Sequence, residues 1–279
     1  MKTILVAIDF SKNAEHALEY ALVYAEKLEA AIYLIWVDNT VSDEMVLDTI
    51  KGDLRLEKKE YLEKITNKYK NRILGGKFEV ILRKGRVYQE VAKVAKQIEA
   101  DMIFAGTHGV SGYEQHWIGS NAYRIVTQAP CPVFTIRSSY KFDGTISKIL
   151  LPLDSSLETK EKLPFVADLA LKFDAKVHLL KVYNTPIAAI RKRIDKFGDD
   201  AVKCLNNRGV KYLLDEIEVK NVAVSIIDYS NNNKMDLITI MTDQGTTTAN
   251  KFLGSYSKQL INNSIIPVSS VRAKDDKKE

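Results

Sequence analysis

The stretch ILVAIDFS, residues 4–11, decides the fold, because a close copy of it, ILLPLDSS, recurs at residues 149–156. Each copy is a short apolar run that ends on Asp and closes with Ser, as buried strands of a parallel sheet often do. A second pair, IGSNAYRIVTQAPCPVFTIR at 118–137 and LGSYSKQLINNSIIPVSSVR at 253–272, repeats with the same order of features. The chain therefore contains two homologous units.

Apolar segments with strand character alternate with amphipathic helical segments in each unit. Short strands alternating with helices indicate a parallel sheet with helices on both faces. In the first unit we predict strands at 3–9, 31–37, 78–83, 101–106 and 132–137, and helices near 12–29, 42–72, 87–98 and 120–128.

The segment NVAVSIIDYS, residues 221–230, is the one place where propensity and repeat disagree. Its Val and Ile content favours a strand. The repeat aligns it with VYQEVAKVAK, residues 87–96, which has clear helical periodicity. We therefore predict a helix here, preceded by a strand at 210–218.

The join between the units is the polar, turn-rich segment SSYKFDGTIS, residues 138–147. We predict a first domain at 1–140, a second at 146–273, and a charged tail at 274–279.

Composition narrows the function classes. The 279 residues carry a net charge of +5 with no clustered basic stripe, so we expect no nucleic-acid partner. The apolar run at the N-terminus is too short for a membrane span, and Cys131 and Cys204 form no metal or disulfide pattern. His108 and His116 have no third ligand near in sequence, so no metal site is predicted. We expect a cytoplasmic protein without membrane association.

The loop GTHGVSGYEQHWIGS, residues 106–120, is the strongest candidate for a binding site. It leaves the fourth strand at the carboxyl edge of the sheet, where ligands bind in open parallel sheets. Its glycines and the following helix N-terminus are suited to phosphate. The alternative is ordinary turn chemistry, with Asp9 and Ser11 acting only as a helix cap.

The spacing of Gly106, Gly109, Gly119 and Ser120 resembles the ATP-binding signature of the universal stress protein family. The Asp-x-Ser at residues 9–11 and the Pro-Val pairs that begin the last strand of each unit are similar to that family too. The resemblance covers both units and implies a tandem member. It also implies an open five-stranded sheet of order 3-2-1-4-5 in each unit, with the units paired through their last strands as a pseudo-dimer.

The same resemblance implies a site for ATP, with Mg²⁺ held through the phosphates. In family members that bind ATP, the residue matching Asp9 contacts adenosine and the backbone matching Val37 contacts adenine, while the glycines and the serine hold ribose and phosphates. The cofactor-binding residues predicted on this basis are Asp9, Val37, Gly106, Gly109, Gly119, Ser120 and Asn121. Two reasons for glycine at position 119 stay open: close contact of the backbone with phosphates, and a φ above zero.

The second unit departs from the motif. Met241 and Gln244 stand where Gly106 and Gly109 stand, and only Gly254-Ser255 is kept. Side chains at 241 and 244 are expected to crowd a phosphate. Asp154 is retained, with helix capping as its expected role, and we predict a degenerate second site.

No nucleophile elbow, Walker lysine or paired carboxylates appear in the sequence. The function predicted is therefore that of an ATP-binding stress-response regulator with little or no catalysis, at most weak ATP hydrolysis. One alternative is an enzyme that cleaves ATP slowly or at the α-phosphate, with His108 as its candidate residue. Another is an assembly module that binds no nucleotide. An unidentified protein partner and a homodimer are further expectations.

Overall fold

The computed structural model describes residues 2–39, 48–73, 77–107, 118–242 and 255–272. Both units consist of alternating strands and helices. The first contains β1 Thr3–Ala7, α1 Lys12–Leu28, β2 Ala31–Asp38, α2 Asp48–Tyr69, β3 Phe78–Lys84, α3 Val87–Gln97, β4 Met102–Gly106, α4 Ser120–Gln128 and β5 Val133–Ile136. The second contains β6 Lys148–Leu153, α5 Lys162–Phe173, β7 Lys176–Tyr183, α6 Ala188–Asn207, β8 Tyr212–Glu218, α7 Val222–Asn232, β9 Leu237–Thr242, α8 Ser255–Asn263 and β10 Val268–Arg272.

These elements confirm the alternation predicted from the sequence. The helix expected near 42–72 is described from residue 48 onward, and its predicted start lies outside the described residues. Among the described residues, no helix combines the length and apolar character needed to cross a membrane.

The strands form one ten-stranded sheet of order β3-β2-β1-β4-β5-β10-β9-β6-β7-β8. Each half has the predicted order 3-2-1-4-5 and is parallel within itself. The halves join where β5 and β10 pair antiparallel, with Ser269 opposite Phe134. This pairing covers one edge strand of each unit, β5 and β10, and confirms the pseudo-dimer.

Helices cover both faces of the sheet. α1, α2, α5 and α6 bury one apolar layer, and α3, α4, α7 and α8 bury the other. Aromatic rings pack across the seam between the units: the ring centroids of Tyr24 and Phe173 are 4.8 Å apart, and those of Phe134 and Phe165 are 6.1 Å apart. The first layer is therefore continuous across the two units.

The segment at 222–232 is a helix, as the repeat predicted. Asn221 caps it, since its side-chain oxygen accepts from the N–H of Val224 at 3.3 Å. Ala223 and Ile226 are buried against the sheet. A local cap and an apolar face outweigh the weak strand preference of Val and Ile, because propensity differences are small compared with burial.

Candidate functional site

A cavity of about 360 Å³ lies at the carboxyl ends of β1, β2 and β4. It contains all of the predicted site residues that the structure describes. These are Asp9, Val37, Gly106, Gly119, Ser120 and Asn121. Gly109, His108 and His116 lie outside the described residues. Residues from positions far apart in the chain thus converge on one crevice.

In the turn Asp9-Phe10-Ser11, different residues cap the helix and line the cavity, which the sequence left open. Ser11 caps α1, because its hydroxyl accepts from the N–H of Ala14 at 3.2 Å. Asp9 does not cap the helix but lines the cavity, with Oδ1 accepting from the N–H of Ser11 at 3.0 Å. The capping alternative therefore applies to Ser11, and the Asp9 carboxylate is placed to meet a ligand.

Phe10 has a left-handed backbone, with φ of 65°. Such a conformation costs roughly 1–3 kcal/mol in a residue other than glycine. Its ring makes an edge contact with Tyr61 at 5.0 Å and lies 6.2 Å from Trp36, and these contacts oppose the strain. Within the described residues, the counterpart in the second unit, Ser155, has no positive φ. The strained turn therefore distinguishes the first site.

Gly106 allows α1 to pack closely against β4. A Cβ at this position would lie 2.7 Å from the backbone carbon of Asn13 and 2.8 Å from the nitrogen of Ala14. Real Cβ atoms do not approach backbone that closely, so any larger residue here would displace the first turn of α1. The glycine lines the cavity, but the close approach that it permits is to this helix.

The N-terminus of α4 faces the cavity. Gly119 is its N-cap and, having no side chain, makes no side-chain capping hydrogen bond in the described structure. The N–H of Gly119 donates to the carbonyl of Thr107 at 2.8 Å, which ties the helix start to the end of β4. The N–H groups of the first turn that follow are the orphan donors that bind anions at helix N-termini.

Of the two reasons considered for glycine at position 119, a φ above zero is not observed. Gly119 has a φ of −57° and a ψ of 144°, an extended conformation that any residue adopts. The backbone conformation at position 119 therefore does not require glycine. Space next to the helix N-terminus is the remaining reason for a small residue here.

The walls of the cavity are apolar, and most of these residues were not predicted. They include Ile35 on β2, Val87 and Val91 on α3, and Ile125 on α4. Position in the topology was the available signal, because α3 begins at the same edge at which β2 ends. An apolar slot with a carboxylate at one side and a helix N-terminus at another suits a flat base joined to an anionic group.

In the second unit, the corresponding position holds an internal polar cluster. The hydroxyl of Tyr256, the counterpart of Asn121, donates to Oδ2 of Asp154. Lys162 is fully buried and donates to the carbonyl of Pro152 at 2.6 Å. Burial alone would raise the pKa of Asp154, but the Lys162 ammonium and the hydrogen bonds from Ser156 and Tyr256 lower it below its ordinary value. The retained aspartate is thus held by protein groups.

The side chain of Met241 is buried against Val271 and Phe165. The helix that follows β6 has also changed. α5 begins at Lys162, the counterpart of Ala17, whereas α1 begins at Lys12. A 3-10 helix at Leu157–Lys160 stands in place of the first α-helical turns. This change agrees with the close contact at Gly106, where a side chain would meet the first turn of α1.

A contact from the second unit supports the first site, and the sequence did not reveal it. The N–H of Ile118, just before Gly119, donates to the side-chain oxygen of Asn262 on α8 at 2.7 Å. Both residues are buried. The start of α4 is therefore held partly by the other unit. No local signal marks Asn262, since the contact joins residues 144 positions apart.

A family model described as the universal stress protein family matches residues 1–137 and 145–272. The universal stress protein Slr1230 of Synechocystis sp. is 24% identical over 294 residues, which cover 98% of this chain and all of that protein. A relative from Staphylococcus aureus strain USA300 is 31% identical over 143 residues, covering 49% of this chain and 84% of its own.

Solved structures share the architecture over the whole chain. A universal stress protein from Archaeoglobus fulgidus DSM 4304 superposes with a TM-score of 0.77 at 19% identity, covering 98% of this chain and 97% of its own. At this identity the likeness extends to the fold alone.

Proposed function

Since the chain belongs to the universal stress protein family, we propose that its first unit binds ATP as a regulatory ligand and carries out little or no catalysis. The observation that carries this proposal is the cavity that joins Asp9, Val37 and the N-terminus of α4. Cytoplasmic location, a protein partner and a homodimer stay predictions.

The groups around the cavity match the parts of ATP. The apolar walls and the end of β2 at Val37 would hold adenine. Asp9 would accept hydrogen bonds from the adenosine part. The first turn of α4, at Gly119, Ser120 and Asn121, would hold phosphates through backbone N–H groups and the positive end of the helix dipole. Mg²⁺, bound through the phosphates, would neutralise part of their charge.

The second unit differs at each of these points. Tyr256 and Lys162 already interact with Asp154, and the start of the helix that follows β6 is rebuilt. A nucleotide would have to break these buried contacts, whose partners would then lose hydrogen bonds. We therefore propose one ATP per chain.

Calorimetric titration with Mg-ATP tests the proposal directly, and a stoichiometry near one per chain is expected. A value near two would show that the second unit also binds, and no binding would favour the assembly module. Asp9→Asn is expected to weaken binding at least about tenfold, by loss of a charged acceptor. The matched variant Asp154→Asn should leave binding unchanged and lower the melting temperature.

The enzymatic alternative requires a separate assay. ATP labelled on the α- and γ-phosphates would be incubated with the chain and the products separated. We expect at most slow release of the γ-phosphate. Release of AMP at a substantial rate would favour α-phosphate cleavage over regulation.

A further inference from the structure

A second cavity, of about 530 Å³, lies at the amino ends of β1 and β4, where the first unit meets α5. We call it the α5 groove. It is remote from the candidate nucleotide cavity, which lies at the opposite edge of the strands. Its lining combines apolar side chains with charged residues. These are Lys2, Leu28, Asp101, Met102, Phe165, Asp168, Leu169, Leu171 and Lys172.

The internal repeat gives this groove a counterpart on the other side of the pseudo-twofold axis, which we call the mate groove. In the alignment of the two units, the residues that line the α5 groove have counterparts in the other unit, at the mate groove. Phe165 corresponds to Tyr20, Leu169 to Tyr24, Leu28 to Phe173 and Asp101 to Asp236. Tyr24 and Phe173 are in ring contact there, at 4.8 Å.

The linker, residues 138–147, fills the mate groove with two aromatic side chains. The ring of Phe142 lies 4.5 Å from that of Tyr20, and the ring of Tyr140 lies 6.3 Å from it. The hydroxyl of Tyr140 donates to the backbone carbonyl of Asp236 at 3.5 Å. The hydroxyl of Tyr20 reaches the same carbonyl at 3.3 Å. An aromatic-x-aromatic segment is therefore what this type of groove accepts.

We propose that the α5 groove binds a segment of a partner protein with aromatic side chains at positions n and n+2, as the mate groove binds Tyr140 and Phe142. The differences between the grooves favour such a guest. Leu169 is smaller than its counterpart Tyr24 and leaves room for a ring. Phe165 has no hydroxyl to donate to the carbonyl of Asp101, a role that a partner's tyrosine would fill.

The rim of the groove adds a charge preference. Lys2 pairs with Asp101 at 2.6 Å, and Asp168 pairs with Arg208 at 2.7 Å. Lys172 makes no ion pair within the described residues. Its ammonium would attract an acidic residue beside the two aromatics. Leu171, 49% exposed, supplies apolar surface at the same rim.

Residues 273–279, which align with the start of the linker, lack the required chemistry. AKDDKKE, residues 273–279, follows Arg272 as the linker follows Arg137. Asp275 and Lys277 stand at the positions of Tyr140 and Phe142, so this segment carries no rings. The guest is for this reason assigned to another protein.

The linker itself supplies a probe. A fluorescently labelled peptide RSSYKFDGT, residues 137–145, would be titrated with the full chain. Saturable binding is expected, at least about tenfold weaker when both aromatics of the peptide are replaced by alanine. Leu171→Ala should weaken binding severalfold, whereas Leu213→Ala, at an exposed position on β8, should not. Equal binding of the alanine peptide would overturn the proposal.

Cross-linking distinguishes the binding places. A benzophenone side chain in place of Phe142 in the peptide should attach to Leu28, Phe165 or Leu171. Attachment around Tyr20 would mean that the peptide only displaces the linker, and would overturn the assignment. Binding that occurs only to a chain shortened after Arg272 would show that residues 273–279 cover the groove, and would also overturn it.

Discussion

Replacing Gly106 with alanine tests the close contact between β4 and α1. The added Cβ would lie 2.7–2.8 Å from Asn13 and Ala14, on atoms that include backbone. Comfortable contacts between heavy atoms are about 3.5–4.0 Å, so the helix start must move. Overpacking of this kind costs roughly 1–3 kcal/mol. For 279 residues the unfolding entropy makes 1 kcal/mol about 1.7 °C, so a drop of about 2–5 °C is expected.

Gly198→Ala is the matched control. Gly198 lies inside α6, where a Cβ would meet the flexible Lys181 side chain, with Cδ at 3.1 Å. Alanine is favoured over glycine in a helix by about 0.8–1.0 kcal/mol, so this variant should melt at or above the parent temperature. Differential scanning calorimetry of the parent, Gly106→Ala and Gly198→Ala proteins gives the three melting temperatures to compare. A Gly106→Ala protein that melts with the parent would refute the steric argument.

Three further outcomes are expected. Gly119→Val should keep the parent melting temperature, because φ of −57° suits valine, but lose ATP affinity at least about a hundredfold through lost charge-assisted contacts. Normal titration of this variant would exclude the α4 N-terminus as the phosphate site. Asn262→Leu should cost about 1–3 kcal/mol in urea unfolding and speed hydrogen exchange at Ile118, whereas the exposed neighbour change Asn263→Leu should do neither. Burial, helped by two nearby lysines, lowers the pKa of His178, so the folded protein favours neutral histidine. Stability should be full above the unfolded pKa of about 6.5 and decline as the pH falls below it. In the His178→Leu variant, the free energy of unfolding should fall less steeply between pH 7.5 and 5.5. An unchanged slope would mean that other groups cause the pH dependence.

The alternation of strands and helices was predictable from pattern and repeat, and it agrees with the structure. The order 3-2-1-4-5 and the pairing of the last strands were implied by the resemblance to the family, and both agree with the structure as well. The repeat was decisive at 221–230, where composition alone favours a strand. The two copies have diverged at different positions, so an element whose pattern is unclear in one copy can be recognised from the other.

The candidate site was predictable where topology carries the information. Asp9, Val37 and Gly119 lie near strand ends or at a helix start on the carboxyl edge of the sheet. Positions at this edge come together because of the topology, independently of how individual side chains pack. A positive φ at Gly119 is not observed. The φ of one residue depends on neighbours that the linear motif does not specify.

The linear pattern is sufficient to establish two units, the type of each element and the edge at which the loops gather, because periodicity and capping act within a few residues. The linear pattern does not predict the roles of Phe10, Asn262 and Lys162, because these roles depend on contacts with residues distant in the chain. Only packing reveals that the linker fills one of two equivalent grooves, and that Asp154 is enclosed while Asp9 lines a cavity. Near-identical motifs diverge here because excluded volume and buried hydrogen bonds are decided by the three-dimensional neighbours of a residue.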